Sequence, residues 1–239
     1  MPYRPIAASN ECVAHETAKI LMETKSILFN AEEPFTYTSG RVGPVYIDCR
    51  RLISFPRARA TLMDFGASRI LTECGYETLD YIAGGETAGI PYAAWIADRL
   101  ELPMLYVRKK PKGFGRMAQI EGDMAPDKNV ILVEDLQTDG GSKKLFIDAL
   151  RAAGANVAHS FVVFHYGIFK ASDDNMNALG IKLHALTTWW DVLKTASGLN
   201  YFDEKTLKSV ESFLHDPVQW SVQHGGVGEI PAGAAKEAS

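Results

Sequence analysis

The sequence has no Gly-Lys-Ser/Thr and no Gly-x-Gly-x-x-Gly, so neither a Walker phosphate loop nor a dinucleotide fingerprint is present. Cysteine is scarce. Cys12, Cys49 and Cys74 are scattered and odd in number, and no Cys-x-x-Cys occurs, so neither a disulfide framework nor a zinc site is expected. The six histidines keep no metal-ligand spacing either. No apolar run approaches the roughly 20 residues of a membrane span, and Met1-Pro-Tyr-Arg-Pro-Ile6 lacks the apolar core of a signal peptide. A reducing cytoplasm is the expected compartment. Positive charge is not in excess: the formal net charge is -4, which argues against a broad nucleic-acid surface.

What is present is ordinary in bulk. The chain has 239 residues, 46% hydrophobic and 23% charged, enough for one large α/β domain with a small appendage. The informative part is residues 130–142. Val130-Ile-Leu-Val133 is an apolar, β-branched run that reads as a buried strand. Glu134 and Asp135 follow, then Leu136, Gln137, Thr138, Asp139, Gly140, Gly141 and Ser142. Beyond Ser142, the spacing of Leu145, Ala149 and Ala152 predicts a helix.

Such a series suits a sugar phosphate. Loop N–H groups at a helix N-terminus can surround a phosphate, and the helix dipole favours its charge. Thr138 and Ser142 add hydroxyl donors. Glu134 and Asp135 are expected to accept hydrogen bonds from two vicinal sugar hydroxyls. They also suit a magnesium ion carried by a diphosphate, held mainly by the diphosphate and by water. The bland alternative is a strand-to-helix turn with an Asp or Ser N-cap.

In chain order, a first helix is expected over residues 13–29, stopped by Pro34. Two short strands around a Gly/Pro turn are expected between Phe35 and Arg50. Residues 1–55 then form a helix-and-hairpin cap on the same domain, and 56–200 the core. Residues 201–239 form a C-terminal helix and a frayed, Gly/Ala/Pro-rich tail from about Pro217. After a long helix behind Pro56, strands are expected at 79–83, 104–107, 130–133, 161–164 and 183–186, alternating with helical patterns. That pattern means a mostly parallel sheet flanked by helices, with ligands beyond the C-terminal strand ends.

Two further loops carry candidate chemistry. Gly84-Gly85-Glu86-Thr87-Ala88-Gly89 offers backbone amides for a diphosphate, or is simply a tight connection. Residues 108–122 are basic, with Arg108, Lys109, Lys110, Lys112 and Arg116 around Gly113 and Gly115. A loop of that length is either a solvated loop or a cationic lid that neutralises a leaving group and excludes water.

The strand, acid pair and Thr/Gly loop together resemble the 5-phosphoribosyl 1-diphosphate (PRPP) motif of type I phosphoribosyltransferases. Residues 35–48 (Phe-Thr-Tyr-Thr-Ser-Gly-Arg-Val-Gly-Pro-Val-Tyr-Ile-Asp) and the 108–122 loop ending in Ile-Glu-Gly are similar to segments of the orotate phosphoribosyltransferase family. The resemblance covers roughly residues 13–195. It implies transfer of the phosphoribosyl group of PRPP to orotate with Mg²⁺, in a homodimer whose lid reaches the neighbouring active site. It implies Arg108, Lys109, Lys112 and Asp135 as catalytic residues. PRPP falls to the same three cations together with Glu134 through Ser142, Gly84 and Gly85. Orotate falls to Thr138, Ser39, Gly40, Tyr46, His165 and Tyr166. The sequence departs from the family pattern at Thr38 (often Lys), Phe114 (usually His) and His165-Tyr166 (commonly Asp-Arg, the Arg meeting the orotate carboxylate). A phosphoribosyltransferase for another base and a non-catalytic PRPP sensor stay open on the residues alone.

Overall fold

The computed structural model describes residues 8–111 and 119–228. Ser9 caps helix α1 (Asn10–Glu23) by accepting from the Cys12 N–H at 3.2 Å. The expected helix to residue 29 stops early. Thr24 turns its hydroxyl onto the Ile20 carbonyl, Lys25 takes φ 54, and the Ser26 N–H reaches the Leu21 carbonyl at 2.8 Å. This is a Schellman-type stop with lysine where glycine is usual, so no glycine marks it in the sequence.

The released residues form β1 (Ile27–Phe29). Next come β2 (Phe35–Thr36), β3 (Val42–Gly43), β4 (Val45–Ile47) and a 3-10 helix (Cys49–Ser54). β2 pairs with β3 across a turn that holds Gly40 but no proline; at Pro44, where the Gly/Pro turn is expected, the chain changes partner instead, and β4 lies antiparallel to β1.

The remaining elements are α2 (Pro56–Cys74), β5 (Tyr81–Gly85), α3 (Gly89–Leu100), β6 (Met104–Val107), β7 (Ile120–Glu121), β8 (Asn129–Gln137) and α4 (Lys143–Ala152). They continue with β9 (Asn156–His165), α5 (Lys170–Leu179), β10 (Lys182–Thr188), α6 (Trp189–Leu199), α7 (Glu204–His215) and α8 (Pro217–Gln223). The central sheet has the order β10-β9-β8-β5-β6-β7, parallel except for β7. The expected α/β class and mostly parallel sheet are therefore present.

Three elements differ from expectation. β8 does not end at Val133 but carries both acids, because Glu134, Leu136 and Gln137 continue the ladder with Val162, Phe164 and His165 of β9. Helix α6 was signalled only by a capping box, Thr188 with Asp191. Where a frayed tail is expected, Asp216 caps α8 by accepting from Gln219 N–H at 2.9 Å, with Pro217 in the first turn. No helix among the described residues is long and apolar enough to cross a membrane.

The sheet buries both faces. Ile82, Ile131, Val133 and Phe161 pack with α1, α2, α3 and α6 residues such as Leu21, Leu62, Ile96 and Val192. Ala83, Val130, Leu132 and Val157 pack instead with Phe146, Ile147 and Leu150 of α4 and Met176 of α5. The alternation follows the two-residue period of a strand. From β5 the chain steps to β6 on one side, then returns to place β8 on the other. The β5/β8 boundary is thus a topological switch point, and a crevice opens beyond such strand ends.

Candidate active site

Both glycine turns flank that switch point. Gly84 and Gly85 close β5, and α3 starts at Gly89. The fit admits no side chain: a Cβ on Gly89 would stand 2.4 Å from the Val133 carbonyl oxygen, and one on Gly84 2.9 Å from the Gly89 oxygen. The β5 turn is therefore seated on the strand bearing the acids. The Glu86–Thr87 peptide is cis.

Glu134 and Asp135 do not stand side by side. Successive residues of a strand face opposite ways. Glu134 pairs with the Lys143 ammonium on the α4 side, where Lys143 is 1% exposed and Glu134 13%. A Cβ on Gly85 would meet Glu134 Cγ at 3.1 Å and Phe146 at 3.0 Å, which marks the same face. Asp135 lies instead in the field of Cys49 and Tyr92, the Tyr92 hydroxyl donating to the Cys49 carbonyl at 2.5 Å. Burial, and then the charge of Glu134, push the Asp135 carboxyl up to about 6; backbone hydrogen bonds and Arg50 oppose the rise.

Lys143 was hidden by a phase error. The expected helix face of Leu145, Ala149 and Ala152 is not the buried one, since Leu145 is 43% exposed. The buried positions of α4 are Lys143, Phe146, Ile147 and Leu150, spaced i, i+3, i+4, i+7. Read in that phase, the sequence places a lysine on an apolar face, which signals a buried partner.

The turn after β8 is tight and locally bonded. Gly140 has φ 77, a conformation that favours glycine. Asp139 is pinned from two sides: its Oδ1 accepts from Gly141 N–H at 3.0 Å and its carbonyl from Asn175 at 2.8 Å. Ser142 makes no capping bond to α4, contrary to the bland turn reading. Leu136 and Thr138 are half-buried, and the Gln137 side chain donates to Ser172 at 2.7 Å.

The basic loop springs from two paired strands. β6 and β7 form an antiparallel pair, Tyr106 opposite Glu121 and Val107 opposite Ile120. Arg108 Nη1 lies 3.7 Å from Glu121, and the Lys109 N–H donates to the Glu86 carboxylate at 2.7 Å. The start of this loop is thus tied directly to the β5 turn. Lys112, Phe114 and Arg116 lie outside the described residues.

The residues expected to hold the base divide. Tyr46, 38% exposed, packs its ring against Phe35 at 5.5 Å and lies in the field of Tyr166. Tyr166 stacks on Phe169 at 6.0 Å and meets Trp189 edge-on at 5.7 Å. His165 turns away from that group, its Nε2 lying 2.8 Å from the Ser172 hydroxyl. Ser39 accepts from Arg41 N–H at 3.4 Å, and the Gly40 carbonyl from Val227 N–H at 3.1 Å, so the C-terminal segment covers this turn. Sequence reasoning missed Arg41 as more than a surface charge. Its Nε donates to the Gly228 carbonyl at 3.1 Å, and its guanidinium stands 5.7 Å over Phe169.

Among the described residues, no group of three or more potential metal-ligating side chains gathers at these strand ends. With Glu134 held by Lys143, one half-buried carboxylate, Asp135, is offered. That donor set fits a hard cation held mostly by ligand phosphates and water rather than a protein cage.

Residues 60–187 match the phosphoribosyl transferase domain. The chain is 55% identical over 219 residues to an orotate phosphoribosyltransferase of Agrobacterium fabrum, covering 92% of this chain and 94% of that one. It is 55% identical over 212 residues to one of Dinoroseobacter shibae, covering 89% and 94%. Among solved structures, orotate phosphoribosyltransferase from Aeropyrum pernix aligns with TM-score 0.63 at 29% identity, over 78% of this chain and 99% of that one. Leishmania donovani UMP synthase aligns with TM-score 0.71 at 26% identity, over 85% of this chain and 42% of that one.

Proposed function

This chain belongs to the orotate phosphoribosyltransferase family, and from that premise we propose how its own residues carry the reaction. The enzyme transfers the 5-phosphoribosyl group of PRPP to orotate in pyrimidine synthesis, giving orotidine 5′-monophosphate and diphosphate. A ring nitrogen of orotate forms the new bond to the anomeric carbon. The bond to the diphosphate oxygen breaks, and its electron pair leaves with diphosphate. The observation that carries the assignment is the pair of glycine turns across the β5/β8 switch point, with Asp135 between them.

In this reading the Thr138–Ser142 turn and the α4 N-terminus hold the 5′-phosphate. Asp135 accepts from the ribose hydroxyls, while Glu134 is fixed by Lys143 and shapes the field around it. The amides of Gly84 and Gly85 grip the diphosphate, and Arg108, Lys109 and Lys112 neutralise it as it departs. Mg²⁺ supplies further neutralisation when bound, and Asp135 is the side chain that would hold it, through water. Tyr46 and Tyr166, with Ser39 and Gly40, wall the base. Three free cysteines suit a reducing cytoplasm. Diphosphate release with PRPP and each of orotate, uracil, adenine and hypoxanthine tests the base: turnover is expected with orotate alone, and preference for another base defeats the assignment.

Arg41 is the cation we assign to the orotate carboxylate, in place of the usual strand-end Arg. Its guanidinium stands over Phe169, whose ring stacks on Tyr166. Removing a charged hydrogen bond costs about 1.5–3 kcal/mol, so Arg41→Leu is expected to raise KM for orotate about 10- to 100-fold. KM for PRPP should hold within about twofold. An unchanged orotate KM removes Arg41 from the site.

Lys112→Ala is expected to cut kcat by about 10²-fold or more in a folded protein. If the lid serves the partner subunit of a homodimer, mixing Lys112→Ala with inactive Asp135→Asn subunits should restore about a quarter of wild-type activity, because each mixed dimer holds one intact site. A mixture as inactive as its parents places the lid on its own subunit.

A further inference from the structure

At the opposite end of the sheet from the glycine turns, three residues far apart in sequence converge. Cys74 ends α2, His159 lies near the start of β9, and His184 near the start of β10. β9 and β10 run parallel with Lys182 opposite His159, which brings the two rings onto one patch. Nδ1 of His159 is 3.0 Å from Nε2 of His184, and that nitrogen is 3.7 Å from Cys74 Sγ. One donor atom from each residue lies within 4.8 Å of the others.

Those separations approach the edges of a tetrahedron. With metal–nitrogen bonds near 2.0–2.1 Å and a metal–sulfur bond near 2.3 Å, the edges come to roughly 3.4 Å for N···N and 3.6 Å for N···S. The donor chemistry agrees. His184 is 4% exposed, while Cys74 and His159 are half-buried, which leaves the site an approach from solvent. The two facing ring nitrogens, His159 Nδ1 and His184 Nε2, already share one contact, and a bound cation would take the place of the proton between them. Glu73 pairs with Lys182 at 2.8 Å beside the cluster, and Arg69, in the field of His184, is offset by Glu73 and Asp191.

We propose that Cys74, His159 and His184 form a binding site for a borderline divalent cation of the zinc type, with water in the fourth position. On binding, the Cys74 S–H bond gives its proton to solvent and the thiolate takes the metal. A mixed sulfur and imidazole donor set favours zinc over magnesium or calcium. The site joins the C-terminus of α2 to two neighbouring strands at the edge of the sheet, remote from the catalytic strand ends. Its role is to clamp these elements.

The test uses the full-length enzyme, free of any affinity tag and stripped with a chelator, titrated with cobalt(II) and then zinc. Uptake of one cobalt per chain is expected, with a thiolate-to-cobalt charge-transfer band and intense visible bands of a tetrahedral ion, both abolished by zinc. Zinc at about 100 times its Kd should raise Tm by at least about 5 °C. Cys74→Ser should lose the charge-transfer band and most of the Tm rise while keeping orotate turnover, which also confirms its fold. His184→Gln should lose the tetrahedral spectrum. A wild-type titration without these bands, or a charge-transfer band that survives in Cys74→Ser, overturns the site. Because orotate turnover is measured separately, failure of the metal site is distinguishable from failure of the catalytic assignment.

Discussion

Asp135→Asn is expected to abolish turnover and, at the same time, to raise the melting temperature of the ligand-free protein at pH 8. Asp135 sits half-buried on the strand face opposite Glu134, and burial, then the Glu134 charge, push its carboxyl up to about 6 from an ordinary 3.8. A rise of that size corresponds to about 3 kcal/mol between the charged and neutral forms. The direction follows from proton uptake. As pH rises from about 4 to 6, the unfolded chain gives up this proton before the folded one does, so the folded state loses stability across that window. Above pH 6 the full cost is present; below pH 4 none is.

Asparagine removes the buried charge but keeps one acceptor for the backbone donors. A net gain of about 1–2 kcal/mol, or about 2–6 °C in a chain of this size, is reasonable. Differential scanning fluorimetry at pH 8 and pH 5 measures it: the gain should be present at pH 8 and shrink at pH 5. The functional half follows from the same charge. The ionised carboxylate accepts from the ribose hydroxyls, so in the wild type KM for PRPP should climb towards tenfold per pH unit below about 6. A variant that melts lower at pH 8, or still turns over, refutes the role given to Asp135.

The site was legible in the sequence only where its pattern is local. An apolar strand running into adjacent acids and a Thr/Gly turn is a local pattern, and the turn at Gly140 lies where that pattern puts it, as strand β6 lies at the expected Met104–Val107. What the acids do was not local. Their separation onto two faces follows from β8 continuing to Gln137, which depends on the ladder with β9. The early end of α1 depends on Lys25 in a left-handed conformation, where composition offers no cue. The ordered C-terminal segment follows from contacts some 180 residues away, such as Ser221 accepting from Val42 N–H at 3.0 Å. Cys74, His159 and His184 show no ligand spacing in sequence because parallel strands, not a helix or a tight turn, bring them together.

The Glu134–Lys143 pair, hidden in the sequence by the wrong helix phase, carries the other large effect. Lys143→Met is expected to destabilise the enzyme by about 3 kcal/mol, because it strands Glu134 without its partner in a site where the lysine was 1% exposed. Methionine keeps the stem of the side chain against Phe146 and Ile147, so the loss reports charge rather than volume. Adding Glu134→Gln should recover most of it, since a matched neutral pair carries no buried charge. A urea double-mutant cycle measures the coupling. The pair also acts on catalysis through Asp135. Glu134 is the charge that most raises the Asp135 carboxyl after burial, and Lys143 offsets that charge. In Lys143→Met the field of Glu134 is unopposed, so the acid limb of kcat/KM for PRPP should move to higher pH. In the double variant Glu134 carries no charge, and the limb should fall below its wild-type position. If both variants keep the wild-type limb, the Glu134–Lys143 pair is structural only and does not tune Asp135.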